Sequence, residues 1–198
     1  MAPGPAYTAK ELSSRTWRDF ERLFRKPGEW SNCQCMWFHR DGPRPKEEVE
    51  NLTSKERNEK NFRNQRDLVR RGRSHGILVY SNGDPIGWCQ YGLKEEFPRI
   101  DKGSKYRGIP LVGANEKLWR ITCFCVDKKH RKHGVAKAGL HAAMGSIRKK
   151  GGGVVEAYPT TRKEGLALHR GTASMFKKEG FNVVIPLGTS NLVVRRAA

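Results

Sequence analysis

The stretch Val126-Asp-Lys-Lys-His-Arg-Lys-His-Gly-Val-Ala136 joins a run of cationic side chains to a glycine, between two segments of different hydrophobic period. Upstream, Leu118-Trp-Arg-Ile-Thr-Cys-Phe-Cys-Val126 is rich in β-branched and aromatic residues and reads as a buried strand. Downstream, Ala136, Gly139, Leu140, Ala143 and Ile147 recur at the spacing of an amphipathic helix. A strand, a basic loop and a helix N-terminus form a natural anion site. The first amides of a helix have no partner within it, and the macrodipole adds partial positive charge at that end. Gly134 lacks a Cβ, so a bulky anion can approach the backbone. The chemistry this arrangement suits is the holding of a pyrophosphate.

Arg131-Lys-His-Gly134-Val-Ala136 resembles the Arg/Gln-x-x-Gly-x-Gly/Ala signature of the GNAT superfamily of N-acetyltransferases. Val126 stands five positions before Arg131, where that family places a strand residue, often valine. The resemblance implies acetyl-coenzyme A as cofactor. Its pyrophosphate would rest on the loop of Arg131, Lys132, His133, Gly134, Val135 and Ala136. In the family the strands before and after this helix splay apart, and pantetheine lies in the gap. The exposed backbone of Phe124, Cys125 and Val126 would pair with its amides. The implied reaction is direct transfer: an amine attacks the acetyl thioester, a strand N–H stabilises the oxyanion, and coenzyme A leaves as a thiol. Such a reaction needs a base for the ammonium and an acid for the leaving thiolate.

The acid departs from the family pattern. Many members carry a tyrosine four residues before the glycine of a Gly-Phe pair. Here the pair is Gly180-Phe181 and the position is Phe176, which has no proton to give. Tyr158 is the candidate substitute acid. Glu156, two residues earlier on the same strand face, is the candidate base, because an unpaired carboxylate inside an apolar strand has a raised pKa. An ion pair with a neighbouring arginine or lysine is the alternative for Glu156, and a packed strand aromatic is the alternative for Tyr158. Glu95, Glu96 and Asp101, in the loop after a hairpin, would instead attract the acceptor's ammonium.

The surrounding elements are those needed to hold such a site. His75-Gly-Ile-Leu-Val-Tyr80 and Pro85-Ile-Gly-Trp-Cys-Gln-Tyr91 flank Ser81-Asn-Gly-Asp84, where Asn-Gly favours a type I′ hairpin turn. Val154-Val-Glu-Ala-Tyr158 is the next strand after Gly151-Gly-Gly153. A short helix ends near Gly180, and Asn182-Val-Val-Ile185 and Leu192-Val-Val-Arg195 supply two final strands. This order of elements from residue 75 onward matches the family. Nearer the start, Ser13 or Ser14 caps a helix whose Trp17, Phe20 and Phe24 share a face. Cys33-Gln-Cys-Met-Trp-Phe38 reads as a first strand. Thr53-Ser-Lys-Glu56 is a capping-box pattern for a helix ending near Gly72. Arg63, Arg66, Arg70 and Arg73 lie on one side of that helix, as a solvated face or, alternatively, an anion site. The expectation is a single α/β (α+β) domain over residues 1–198, with a mixed, mostly antiparallel sheet flanked by helices and a splayed strand pair. Residues 1–12 would be a flexible tail, 13–73 an acceptor-side wall, and 75–198 the cofactor-binding core.

Composition bounds this reading. At 198 residues the chain suffices for one full core without staples. No run is long and apolar enough to span a bilayer, and residues 1–12 contain no secretory apolar region, which points to a cytoplasmic protein. Five cysteines, an odd number, argue against a disulfide framework. A four-thiolate zinc site usually uses Cys-x-x-Cys spacing, so Cys33/Cys35 and Cys123/Cys125 read as buried reduced thiols, with no metal assigned. The formal charge of +19 suits polyanionic coenzyme A and leaves an excess. The function these features support is acetyl transfer to a primary amine, most simply that of a small molecule. The alternative is a basic, nucleic-acid-associated protein on the same fold, including acetylation of aminoacyl-tRNA. The two C-terminal strands would also suit pairing across a homodimer.

Overall fold

The computed structural model of the chain describes residues 6–26, 33–162 and 166–198. Along them run β1 (Thr8–Glu11), α1 (Trp17–Phe24), α2 (Lys46–Asn51), α3 (Ser54–Arg70), β2 (His75–Ser81), β3 (Asp84–Leu93), α4 (Pro98–Lys102), β4 (Leu118–Val126), α5 (Val135–Lys149), β5 (Val154–Ala157), α6 (Ala173–Lys178), β6 (Asn182–Pro186) and β7 (Leu192–Ala197). The strands make one sheet in the order β1-β2-β3-β4-β5-β7-β6. Every neighbouring pair is antiparallel except β4 and β5. A parallel pair needs a crossover, and α5 is that crossover.

Strand alternation divides the core between the two faces of the sheet. Ile77 and Val79 of β2 join Leu140, Ala143 and Ile147 of α5 on one face. Leu78 and Tyr80 join Trp17, Phe20 and Phe24 of α1, with Phe62 of α3, on the other. Along β4 the same period sends Phe124 to the first face and Cys123 and Cys125 to the second. The helix α5 lies close on the sheet because β3 has Gly87 beneath it. A Cβ there would come within 2.4 Å of Val135 Cγ1. The hairpin is as the Asn-Gly pair predicts: Asn82 and Gly83 take φ of 49° and 81°, and Ser81 pairs with Asp84. Thr53 and Glu56 form a reciprocal capping box on α3.

Three expectations for the first third of the chain change, and a fourth is met. Residues 33–38 are not a strand but a succession of turns. Gln34 and Cys35 sit at φ of 35° and 61°, which strand backbone cannot adopt. Residues 8–11 are not a loose tail. They form an edge strand along β2, with Thr8 opposite Tyr80 and Glu11 opposite Ile77, and residues 1–5 lie outside the described set. All four β1 side chains are exposed, so no hydrophobic period marks the strand. The N-cap of α1 is Thr16, not Ser13 or Ser14. Its hydroxyl bonds the Glu11 carbonyl at 2.8 Å instead of a helix amide. Arg63, Arg66, Arg70 and Arg73 are exposed, as a solvated face requires.

Candidate active site

The strands β4 and β5 stay paired only from Leu118↔Val154 to Ile121↔Ala157. Past that rung the chain of β5 runs through Tyr158 and Pro159 to Thr160, which bridges Thr172 and Asn191 instead. Among the described residues, no strand pairs with the outer edge of β4 over residues 122–126. The backbone of Phe124, Cys125 and Val126 therefore borders a wedge-shaped gap. The aromatic floor of the wedge is Phe124 edge-on to Phe176, centroids 6.0 Å apart.

The loop after β4 follows from local backbone chemistry. The Asp127 carboxylate accepts from the Lys129 amide at 3.0 Å and starts a 3₁₀ turn over Lys128–His130. Burial opposes ionisation of Asp127. Hydrogen bonds from the Lys26 ammonium and the Lys129 amide outweigh it and hold the pKa below the ordinary value. This carboxylate beside the loop is thus neutralised by a lysine. Arg131 donates from Nε to the Val126 carbonyl at 3.2 Å, tying the loop to the end of β4. Lys132 and Gly134 both adopt left-handed backbone, at φ of 63° and 83°. Gly134 is the N-cap of α5, no side chain caps the helix, and its first turn carries no acid. A Cβ on Gly134 would meet nothing within 4 Å. The glycine is therefore required by its φ angle, and the space above it is open. Arg131, Lys132 and His133 are exposed around that space, while the Val135 side chain is buried against β3. Tyr7 donates to the His133 carbonyl at 2.8 Å and braces the loop from the other side.

Glu156 lies at the last rungs before the gap and is 1% exposed. It is ion-paired, the alternative its sequence left open. Arg195 reaches Oε2 at 2.7 Å and Arg120 Nε lies 3.5 Å from Oε1. The Tyr158 hydroxyl donates to Oε1. Arg120 turns its two Nη atoms to Asp101, at 2.5 and 3.1 Å. Burial first, with the Glu156 carboxylate adding and Arg120 opposing, pushes the Tyr158 hydroxyl well above its ordinary pKa. The network borders an open cleft of about 770 Å³ whose lining includes Glu95, Asp101, Tyr106, Arg120, Glu156 and Arg195. Of the three acids expected to attract an ammonium, Glu95 faces this cleft and Asp101 is held by Arg120. Glu96 turns inward to His75, at 2.9 Å, and to the Leu93 amide.

The profile of the acetyltransferase (GNAT) family matches residues 17–170. The chain belongs to the GNAT acetyltransferase family. Its fold is similar to that of a GNAT-family acetyltransferase from Desulfovibrio desulfuricans, with a TM-score of 0.53, 13% identity, and 97% of this chain and 99% of that one covered. It is similar too to PaiA N-acetyltransferase from Thermoplasma acidophilum, solved with coenzyme A, with a TM-score of 0.53, 15% identity and coverage of 98% and 99%. An acetyltransferase from Thermus thermophilus gives a TM-score of 0.52 at 13% identity, covering 98% and 97%. A search of curated protein sequences finds no match. Among the described residues no helix is long and apolar enough to cross a membrane.

Within this GNAT fold, Phe176 is fully buried, packed edge-on against Phe181 as well as Phe124. A tyrosine hydroxyl at that place would need a partner in an aromatic cluster. The structure also shows polar residues that sequence patterns gave no reason to single out. Thr122, the first residue past the last β4–β5 rung, donates to Gln90 Oε1 at 2.8 Å. Gln90 Nε2 lies 3.0 Å from His39 Nε2, and His39 Nδ1 lies 2.8 Å from the Glu96 carbonyl. A carbonyl only accepts, so His39 carries its proton on Nδ1 and accepts at Nε2. Burial, against the pull of Glu96, lowers the His39 pKa to about 4. An unfolded histidine protonates near 6.5, so the unfolded state binds the extra proton first as pH falls. The stability this site contributes is complete above pH 6.5 and is lost progressively toward pH 4, by roughly 3 kcal/mol. Denaturant melts across that window should show this decline in wild type and a shallower one in His39→Gln.

Proposed function

We propose that the protein is an acetyl-coenzyme A-dependent N-acetyltransferase whose acceptor is a primary amine of a small molecule. The observation that carries this reading is Gly134, left-handed and open above, at an uncapped helix start beside a strand edge that its parallel neighbour has left. Coenzyme A fits these residues: a pyrophosphate meets amides and cations at the loop, and an amide-bearing arm meets unpaired strand backbone in the gap. PaiA, which shares the fold, was solved with coenzyme A. When bound, acetyl-coenzyme A supplies the activated acetyl group.

This chain's own residues then divide the work. The amides of residues 132–136 bind the pyrophosphate, and Lys128, Lys129, Arg131 and Lys132 draw it in. The backbone of Phe124, Cys125 and Val126 orients the arm and offers an N–H to the developing oxyanion. On the acceptor side, Glu95 at the mouth of the cleft attracts an ammonium. Within the network, the neutral Tyr158 hydroxyl is the donor on Glu156 that an ammonium would most readily replace, since the two arginines are charged. That exchange would bring the amine's proton to the Glu156 carboxylate and free the Tyr158 hydroxyl as a donor.

Acetyl-coenzyme A and coenzyme A should each raise the melting temperature, and a panel of small primary amines should include one that drives thiol release. Failure of both cofactors to shift the melt would undo the reading. The net charge of +19 favours a second one, a nucleic-acid partner or an aminoacyl-tRNA acceptor. It predicts tRNA binding that weakens steeply with salt and that survives disruption of the Gly134 loop.

A further inference from the structure

Outside the cofactor loop and the acceptor cleft, three sulphurs from two separate elements converge in the second core. Cys123 and Cys125 project from the same face of β4, their Sγ atoms 3.9 Å apart. Cys35 comes from the turn at residues 33–38, and the three Sγ atoms lie within 4.8 Å of one another, all buried. Around a tetrahedral zinc ion with Zn–S bonds of about 2.3 Å, neighbouring sulphurs stand about 3.8 Å apart. A disulfide would instead need its sulphurs near 2.05 Å.

Two further observations separate this cluster from ordinary packed thiols. Gln34 and Cys35 both hold left-handed backbone without being glycine. Such conformations are costly and persist where surrounding structure enforces them, commonly at functional sites. Here the strain aims the Cys35 side chain at β4. Secondly, Trp88 donates from Nε1 to Cys35 Sγ at 3.0 Å. An N–H aimed at sulphur is the outer partner that metal thiolates characteristically have.

We propose that Cys35, Cys123 and Cys125 are thiolate ligands of a structural zinc ion, with Cys33 on the same turn as the fourth. Cys33 is exposed on that turn and lies outside the group of three, so its side chain would swing inward to complete the set. Binding replaces the thiol protons with the metal and releases them to solvent, with no change of oxidation state. The ion would fasten the acceptor-side turn to the strand whose opposite edge borders the cofactor gap. The ordinary Cys-x-x-Cys pattern is missing because each pair lies at i, i+2. One pair uses the strand period and the other the left-handed turn.

Reduced, metal-free protein should take up one equivalent of zinc, competing with a chromophoric chelator. Cobalt should give thiolate charge-transfer absorption and the visible bands of a tetrahedral site. Cys35→Ser, Cys123→Ser and Cys33→Ser should each weaken zinc by at least about a hundredfold, and Trp88→Phe by about tenfold to a hundredfold. Cys89→Ser, a buried thiol outside the cluster, should bind as wild type does. Folded, reduced wild-type protein that shows no cobalt–thiolate absorption would overturn the site. So would a mass lower by two hydrogens after air exposure together with no zinc uptake, the mark of a disulfide pair instead. Unchanged affinity in Cys33→Ser would remove Cys33 from the ligand set. None of these readouts involves acetyl-coenzyme A, so they stand or fall apart from the acetyltransferase reading.

Discussion

Gly134→Asp is expected to lose acetyl-coenzyme A binding by at least about a hundredfold while leaving the fold intact. Two effects add. The aspartate must adopt the left-handed backbone of the native glycine, at φ 83°, which costs about 1–2 kcal/mol in an L residue. Its carboxylate then projects into the open space the pyrophosphate would take. Like charges about 4 Å apart near a protein surface repel by roughly 4 kcal/mol, about three powers of ten in affinity. Gly134→Ala separates the two, since alanine carries the backbone cost alone and should retain most of the binding. The measurement is a thermal melt with and without cofactor. At about 100 times the dissociation constant, wild type gains roughly 2.7 kcal/mol, a rise of about 5–10 °C for a domain of this size. An equal rise in Gly134→Asp would remove the pyrophosphate from this loop. Because no Cβ contact exists at Gly134, a general loss of packing would not explain the expected result.

The second large effect concerns stability and the acceptor side. Glu156→Ala should destabilise the protein by about 3 kcal/mol or more, in the range for removing one partner of a buried ion pair. The Arg120 side chain is 4% exposed and Arg195 16%. With the carboxylate gone, two guanidinium groups and the Tyr158 hydroxyl face a void. Asp101 still holds Arg120, which keeps the loss toward the lower end. Glu156→Gln preserves shape and one acceptor oxygen and should cost less. Chemical denaturation gives the stability, and turnover of the glutamine variant tests the proton role. A folded Glu156→Gln enzyme with unchanged kcat would confine Glu156 to holding the cleft together. A large fall in kcat at near-native stability would support proton transfer at its carboxylate.

How legible these features were depends on how local their determinants are. The β4–loop–α5 unit was readable because the residues that set its backbone lie within one continuous stretch, and Gly134 falls where the chain needs positive φ; the distant partners Tyr7 and Lys26 only brace it. The hairpin was readable for the same reason, through Asn82-Gly83. The segment at residues 33–38 was not. Its aromatic and sulphur-bearing residues have strand-like composition, yet partners far away in sequence hold its backbone: Trp88 on the Cys35 sulphur and Gln90 on the Cys35 carbonyl. The strand β1 was invisible for the opposite reason, since its order comes from backbone pairing with β2 and not from buried side chains. The pairing of Glu156 depended on register. Arg120 and Arg195 become its neighbours only once β4 and β7 are known to flank β5 on either side.

The junction of β4 and β5 has one more consequence. Four residue pairs join the half of the sheet containing β1–β4 to the half containing β5, β7 and β6. Each half is stitched internally by antiparallel ladders, whereas this short seam is parallel, the pairing that is slightly less stable per residue. A ligand lying along the unpaired edge of β4 would act as the missing length of strand and carry the sheet across the seam. Occupancy of the gap and cohesion of the two half-sheets would then rise and fall together, one equilibrium seen from two sides.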